Sequence, residues 1–445
     1  MKKLAVVPAL LFAATVSAQT TAPQTIGLWQ AYQMALEHDA QIAAARAQLR
    51  SGSSAVGVAK AALKPNLGLN AGVDYTDQTV EYTGNTPFAG GEHSYPTYRY
   101  SLQLNQPLYH KDAWEGYRQS KLIGRQAELH FRSASQDLAL RVAGAYFDVL
   151  DARENLNLAQ VEEKATLGQL ERAQQAFDIG SATITDVNDA RARADLTRAR
   201  LISARNAVQV ARQALAKLIG TYPEHLAGLK AGFPLQQAEP DAMERWTEAA
   251  RNEALEVLQA EMGLRIAGKE IQRVKGIAYP SLDLVGSYTD NRAEGSSFNT
   301  GINTREAVVG LQLNVPLYSG GAVNAKLSQV RADRDQARSQ LDEARRAAVL
   351  QAQQAFLAVS NGVLTIKALQ QAENSSQTSL ESTRRGQEVG VRTALDVLDA
   401  QQQLFSARRD LASARFDYLL SRLRLKAAVG ELEEEDLKAL DALLR

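Results

Sequence analysis

A mainly α-helical chain that contributes a small share of a β-barrel is the fold class the sequence predicts. Three observations predict it. The chain of 445 residues contains an internal duplication. It holds two proline-free stretches with helix-forming runs of almost seventy residues. It also holds four short segments in which apolar and polar side chains alternate.

The duplication comes first because a repeat sets the architecture. Leu102–Tyr109 reads LQLNQPLY and Leu311–Tyr318 reads LQLNVPLY, identical at seven of eight positions with an offset of 209. The segment 177–220 aligns without gaps to 387–430 at an offset of 210, sharing Gly180/Gly390, Thr183/Thr393, Asp186/Asp396, Val187/Val397, Asp189/Asp399, Ala190/Ala400 and Gly220/Gly430. Two matches at nearly one offset divide the chain into two copies of one unit. The expected partition is a first repeat over 19–236, a second over 237–430 and a tail over 431–445.

Proline positions show where each unit bends. No proline lies between Leu108 and Tyr222, or after Pro316. Proline breaks helix interiors, and these stretches are rich in Ala, Leu, Gln, Arg and Glu, which favour helix. The pattern predicts helices over 26–62, 112–178, 184–219, 241–277, 321–387 and 394–429. At 1.5 Å per residue the longest are roughly 100 Å long. Such helices must pack along their length.

Four strands are predicted between the helices, over 67–75, 98–105, 282–288 and 307–315. Leu67, Leu69, Ala71, Val73 and Tyr75, for example, alternate with Gly68, Asn70, Gly72 and Asp74. Period-two alternation is the mark of an outer-membrane barrel strand. The segments 83–96 and 291–304 hold Gly, Asn, Ser, Thr and Pro and read as exposed turns. Four strands cannot close a membrane barrel, since the smallest known have about eight. Open edges are not tolerated in lipid, so the barrel must be shared between chains. Two chains give a filled lumen and three give a passage; this reasoning alone does not choose between them. A soluble sheet packed on helices is the alternative. The long helices leave little material to cover its apolar face.

The start of the chain reads as a secretory signal over 1–18. Lys2 and Lys3 precede the apolar run Leu4–Ala14, and small residues lead to cleavage near Ala18. Beyond it no apolar run approaches a spanning helix. Acidic and basic residues balance at 50 each, which gives no pull toward nucleic acid. There is no cysteine, hence no disulfide, no thiolate metal site and no lipid-bearing residue. The five histidines show no metal-ligand spacing, and no nucleophile–base constellation is evident. The sequence argues against an enzyme, with no cofactor and no metal expected.

Several of these segments carry a resemblance. Val389-Gly-Val-Arg-Thr-Ala-Leu-Asp-Val-Leu-Asp-Ala400 resembles the second-repeat hairpin of the TolC family, and Ile179–Arg191 resembles its first. The paired strand-to-helix motifs ending in Pro-Leu-Tyr match as well. The resemblance implies a homotrimer: four strands per chain form a shared twelve-stranded barrel above a long α-helical periplasmic tunnel. Segments near 220–240 and 430–445 would form a belt around the tunnel. It implies a passive outer-membrane exit duct of a tripartite efflux pump or type I secretion system. The implied partners are a periplasmic adaptor (membrane fusion protein), an inner-membrane pump of RND, ABC or MFS type, and outer-membrane lipid.

By matching motifs, the resemblance implies a gate at the periplasmic end. Arg392 would link to Thr185 and Asp186, and Asp396 and Asp399 would form acidic rings. Gly180 and Gly390 mark the hairpin tips where adaptors would dock. Gln387 and Phe177 stand where family members carry a tyrosine. The residues also have a plainer reading. Thr183 with Asp186, and Thr393 with Asp396, both read T-x-x-D, close to a capping box. The two glycines suit ordinary helix ends. A coiled-coil stalk and a periplasmic adaptor are the competing architectures. Neither accounts for duplicated strand pairs.

Overall fold

The structure, a computed structural model, describes residues 25–444 except 86, 88, 89, 231 and 297–299. The expected signal segment and its cleavage site near Ala18 lie outside the described residues. The elements run α1 (Leu28–His38), α2 (Ala40–Ala61), β1 (Asn66–Val80), β2 (Gly91–Tyr109), α3 (Lys111–Asp178) and α4 (Ile184–Ile219). The same order then recurs as α5 (Met243–Glu253), α6 (Leu255–Gly276), β3 (Ser281–Ala293), β4 (Ile302–Asn314), α7 (Ala322–Glu388) and α8 (Ala394–Ala428). A short α9 (Glu434–Asp441) closes the chain.

Both expected sixty-seven-residue helices form, as α3 and α7. Each folds back on its successor, so α3/α4 and α7/α8 are antiparallel hairpins. The α2 helix runs beside the sheet-proximal half of α3, where Gly52 brings the backbones together: a side-chain carbon there would stand 2.5 Å from Ala127 Cβ. The main core fills the middle of the bundle. Leu138, Val142, Tyr146 and Val149 of α3 meet Ala352, Val359 and Ile366 of α7 and Tyr418, Leu419 and Leu423 of α8 there. Only small apolar clusters lie toward either end.

Two expected helices are each broken in two. The segment 26–62 breaks at Asp39 and 241–277 breaks at Ala254, with no proline or glycine at either place. Packing explains both. Gly220 ends α4 with φ +79° and sits against the His38 ring. Gly430 follows α8 with φ +77°, and a side-chain carbon on it would stand 2.8 Å from the Glu253 carbonyl. In each repeat the end of the second long helix seats against the break. Asp39 is also an N-cap, accepting from the Ile42 N–H at 2.9 Å, and it pairs with Arg141 of α3 at 2.9 Å. The Arg141 hydrogen bond holds the Asp39 carboxyl below the usual carboxylate range, against the opposing effect of burial.

The four strands form one antiparallel sheet in the order β1-β2-β3-β4, so the two repeats meet at β2–β3. They run longer than the alternation indicates, extending into 76–80, 91–97, 289–293 and 302–306. Ladder hydrogen bonding continues through these polar residues because it does not depend on side-chain polarity. The register sets Leu69, Leu102, Tyr288 and Ala307 in one row, and Asn70, Ser101, Thr289 and Glu306 in the next. Such rows separate the faces. The apolar face is bare: Leu69 is 73% and Val309 81% exposed. Among the described residues no helix is long and apolar enough to cross a membrane.

The connection after α4 and the chain end are bound to the middle of the bundle. The buried Tyr146 hydroxyl donates to the Ala227 carbonyl at 2.8 Å. Tyr418 donates to the Gln236 carbonyl at 2.6 Å and accepts its N–H at 2.9 Å. Gln136 donates to the Gly430 and Leu432 carbonyls.

Two predictions follow from the helix breaks. Gly430→Ala meets both a left-handed backbone, costing about 1–2 kcal/mol for a residue with a Cβ, and the Glu253 carbonyl. Gly390→Ala meets only the first, with open space around it. Thermal unfolding by circular dichroism in detergent should therefore show the larger loss for Gly430→Ala; equal losses would contradict the packing role. Asp39→Ala should cost about 1–3 kcal/mol, combining an N-cap with a charge-assisted hydrogen bond. Because the folded Asp39 pKa is depressed, its contribution is complete above about pH 4 and fades as pH falls through the lower folded value. The wild-type and Asp39→Ala melting temperatures should converge in strong acid.

Candidate functional site

The hairpins end far from the sheet in two turns of one design. In the first, the Ser181 N–H donates to the Ala176 carbonyl at 2.8 Å and the Gly180 N–H to Phe177 at 2.9 Å. In the second, Val391 donates to Gly386 at 2.8 Å and Gly390 to Gln387 at 3.0 Å. This is a Schellman closure, which needs a left-handed residue. Gly180 and Gly390 supply it, with φ +76° and +77°. Their plain helix-ending role is thus real. The turns also hold apolar side chains in the open: Ile179, Val389 and Val391 are 81%, 74% and 78% exposed.

Each following helix begins with a capping box. The Thr183 hydroxyl accepts the Asp186 N–H at 3.2 Å, and the Asp186 carboxylate accepts the Thr183 N–H at 2.8 Å. Thr393 and Asp396 repeat the pattern at the same distances. The Thr N–H is the largest cause that holds each aspartate below the usual carboxylate range. The Arg392 charge adds to it at Asp396. Both carboxylates are therefore ionised at neutral pH.

Arg392 stands in the second turn, 3.9 Å from the Asp396 carboxylate. Its stem folds over Gly386, where a side-chain carbon would lie 2.8 Å from Arg392 Cγ. The first hairpin has Ala176 at the matching place. Thr185 is exposed in the first turn of α4. Among the described residues of a single chain, no hydrogen bond or ion pair joins Arg392 to Thr185 or Asp186, which belong to the other hairpin.

Asp399 lies one turn beyond Asp396 on α8 and has a partner that sequence reasoning missed. Arg193 of α4 reaches across the hairpins and donates to both the Asp399 carboxylate and the Gln402 side-chain oxygen. Farther from the tips, the buried Glu162 of α3 accepts from Arg200 of α4 at 3.1 Å and from Arg409 of α8 at 3.2 Å. The available signal was a run of arginines at 191, 193, 198 and 200 at the start of α4. Which carboxylate each meets depends on how the hairpins pack. Among the described residues, no group of three or more His, Asp or Glu side chains could hold a metal ion.

Known proteins resemble this chain over most of its length. The profile of the family described as outer membrane efflux protein matches residues 31–221 and again 246–431. The chain is 34% identical to outer membrane protein TolC of Salmonella enteritidis, over 100% of this chain and 89% of that protein. It is 31% identical to the proteases secretion protein PrtF of Dickeya chrysanthemi, over 98% and 94%. The crystal structure of the Campylobacter jejuni CmeC outer membrane channel superposes with a TM-score of 0.78, covering 100% of this chain and 98% of that one, at 16% identity. The chain belongs to the outer membrane efflux protein family: it has the subunit fold of a trimeric channel, a share of barrel joined to a share of helical tunnel, and is an outer-membrane exit duct for efflux or type I secretion.

Proposed function

We propose that this duct is passive and is gated at the hairpin end. A periplasmic adaptor docks at the tips around Gly180 and Gly390, and an inner-membrane pump of RND, ABC or MFS type drives export. The observation that carries this reading is the contrast between the two ends of the chain. One end is a sheet with a bare apolar face and two free edges, β1 and β4. The other is a pair of charged hairpin starts with apolar residues held in the open.

Three copies supply twelve strands, which pairs every edge and turns the apolar face to lipid. The same symmetry brings three second hairpins around one axis. Each brings an Asp396 and an Asp399, and three carboxylates around an axis favour cations. Among the described residues of its own chain Arg392 has the Asp396 carboxylate at 3.9 Å, which leaves guanidinium donors for a link to Thr185 and Asp186 of a neighbouring copy. The repeats are 19–236 and 237–430. The tail 431–445 packs with the 220–240 segment as a belt. A signal over 1–18, cleaved near Ala18, directs the chain through the inner membrane. No catalytic step, cofactor or nucleic acid belongs to this reading.

Two measurements test it. Membrane fractionation followed by sizing in detergent should place the protein in the outer membrane as a three-chain complex; a soluble monomer would overturn the reading. Arg392→Ser should raise single-channel conductance in planar bilayers severalfold, since the substitution leaves the turn's own hydrogen bonds in place. Conductance equal to wild type would remove Arg392 from the gate.

A further inference from the structure

The two acidic positions at the hairpin end differ in their surroundings. The Asp396 carboxylate is occupied by its own helix start and has Arg392 nearby. The Asp399 carboxylate is held by a cation from the other hairpin, Arg193 of α4. Its side chain is nevertheless 58% exposed, so the charge borders open space. The Arg193 guanidinium spans one turn of α8, donating to Asp399 through Nη2 and to Gln402 through Nη1. That fork geometry fixes both ends of the contact, which a lysine could not do.

We propose that Arg193 sets the ion selectivity of the duct's narrow end by masking Asp399. While the hairpins lie together, Arg193 cancels the Asp399 charge in every copy. When they part, the pair breaks and the carboxylates face the passage uncompensated. The inference deepens the gate reading and rests on the second hairpin lining the passage. It assigns a role to a residue on the first.

The seam that would part is lightly built near this point. Leu398 of α8 meets Ala173, Val187 and Ala190 of the first hairpin, with Leu170 packed against them, and among the described residues that is the whole of the apolar cluster there. Beside it the Gln401 side-chain oxygen is buried and, among the described residues, finds no hydrogen-bond partner. A buried polar atom without a partner favours states in which water can reach it. The next cross-hairpin contact is ionic again, Glu162 with Arg409. Charge pairs and one small apolar patch therefore hold α8 to the first hairpin here. The partly exposed Arg193–Asp399 pair exchanges for water more readily than a wide apolar interface would.

The test is a set of reversal potentials in planar bilayers under a salt gradient, with trimer content checked by sizing in detergent. Arg193→Gln should raise the cation-to-anion permeability ratio about twofold or more by unmasking three carboxylates. Asp399→Asn alone should lower it, because it leaves the Arg193 charge uncompensated in each copy. Arg193→Gln combined with Asp399→Asn should return it to the wild-type value or below. A general loosening of the seam would raise conductance whether or not Asp399 is ionised, so the dependence on Asp399 is the discriminating result. An unchanged ratio in Arg193→Gln would overturn the assignment, as would an equal rise with Asp399→Asn present. If wild type and Arg392→Ser conduct equally while Arg193→Gln shifts selectivity, the Arg392 gate falls and the masking stands.

Discussion

The backbone of an edge strand is the constraint on which the rest of this structure depends. The β1 and β4 strands each present a row of unpaired N–H and C=O groups over thirteen residues or more. Water satisfies such groups and hydrocarbon does not. A sheet with this apolar face can enter a membrane only once both edges are paired by other copies. Strand closure then imposes a rotational symmetry on everything attached to the strands. Helices α3 and α7 leave the sheet directly from β2 and soon after β4, so they inherit that symmetry and stand as a ring beneath the barrel. The long helices explain the reach of the molecule; the strand edges explain why there must be several copies of it.

Duplication makes the ring nearly regular, and the departures from regularity carry the chemistry. Both hairpins share the Schellman turn, the left-handed glycine and the capping box. They differ in what surrounds these features. The second turn has Gly386 where the first has Ala176, and only there does an arginine stem fold back onto the helix end. The first hairpin carries Arg193 and Arg200, which reach α8 and Glu162; the position matching Arg193 in the second is Gln403. The two copies have thus become complementary rather than equal. The first supplies Arg193 to Asp399 of the second, and α8 returns Arg409 to Glu162 of the first.

Buried charge in this seam has a physical reading. Glu162 is nearly inaccessible, and its two oxygens meet one arginine each, so its desolvation is offset by two charge-assisted hydrogen bonds. Such a triad adds little stability compared with an apolar packing of equal volume, but it penalises any other alignment of the three helices. Apolar contacts dominate the middle of the bundle, around Tyr146 and Tyr418, where the belt segments are bound. Apolar packing is therefore widest at the waist and thins toward the hairpin end, where charge pairs set the alignment.

By itself the sequence determined the class of the fold. Proline placement marked the long helices to within a few residues, because proline exclusion and helix propensity are local properties of the chain. Alternation marked the strand centres for the same reason, and the repeat was visible as identity at two nearly equal offsets, 209 and 210. Hairpin turns and capping boxes were legible because glycine and T-x-x-D act over a few residues. Tertiary structure alone decided the breaks at Asp39 and Ala254, which come from Gly220 and Gly430 seating against them. It decided how far each strand runs, since ladder hydrogen bonds extend through polar residues that alternation cannot register. It also decided that Asp399 meets Arg193. Those residues are 206 positions apart, and no local pattern couples them; only the packing of α8 against the first hairpin brings their charges together.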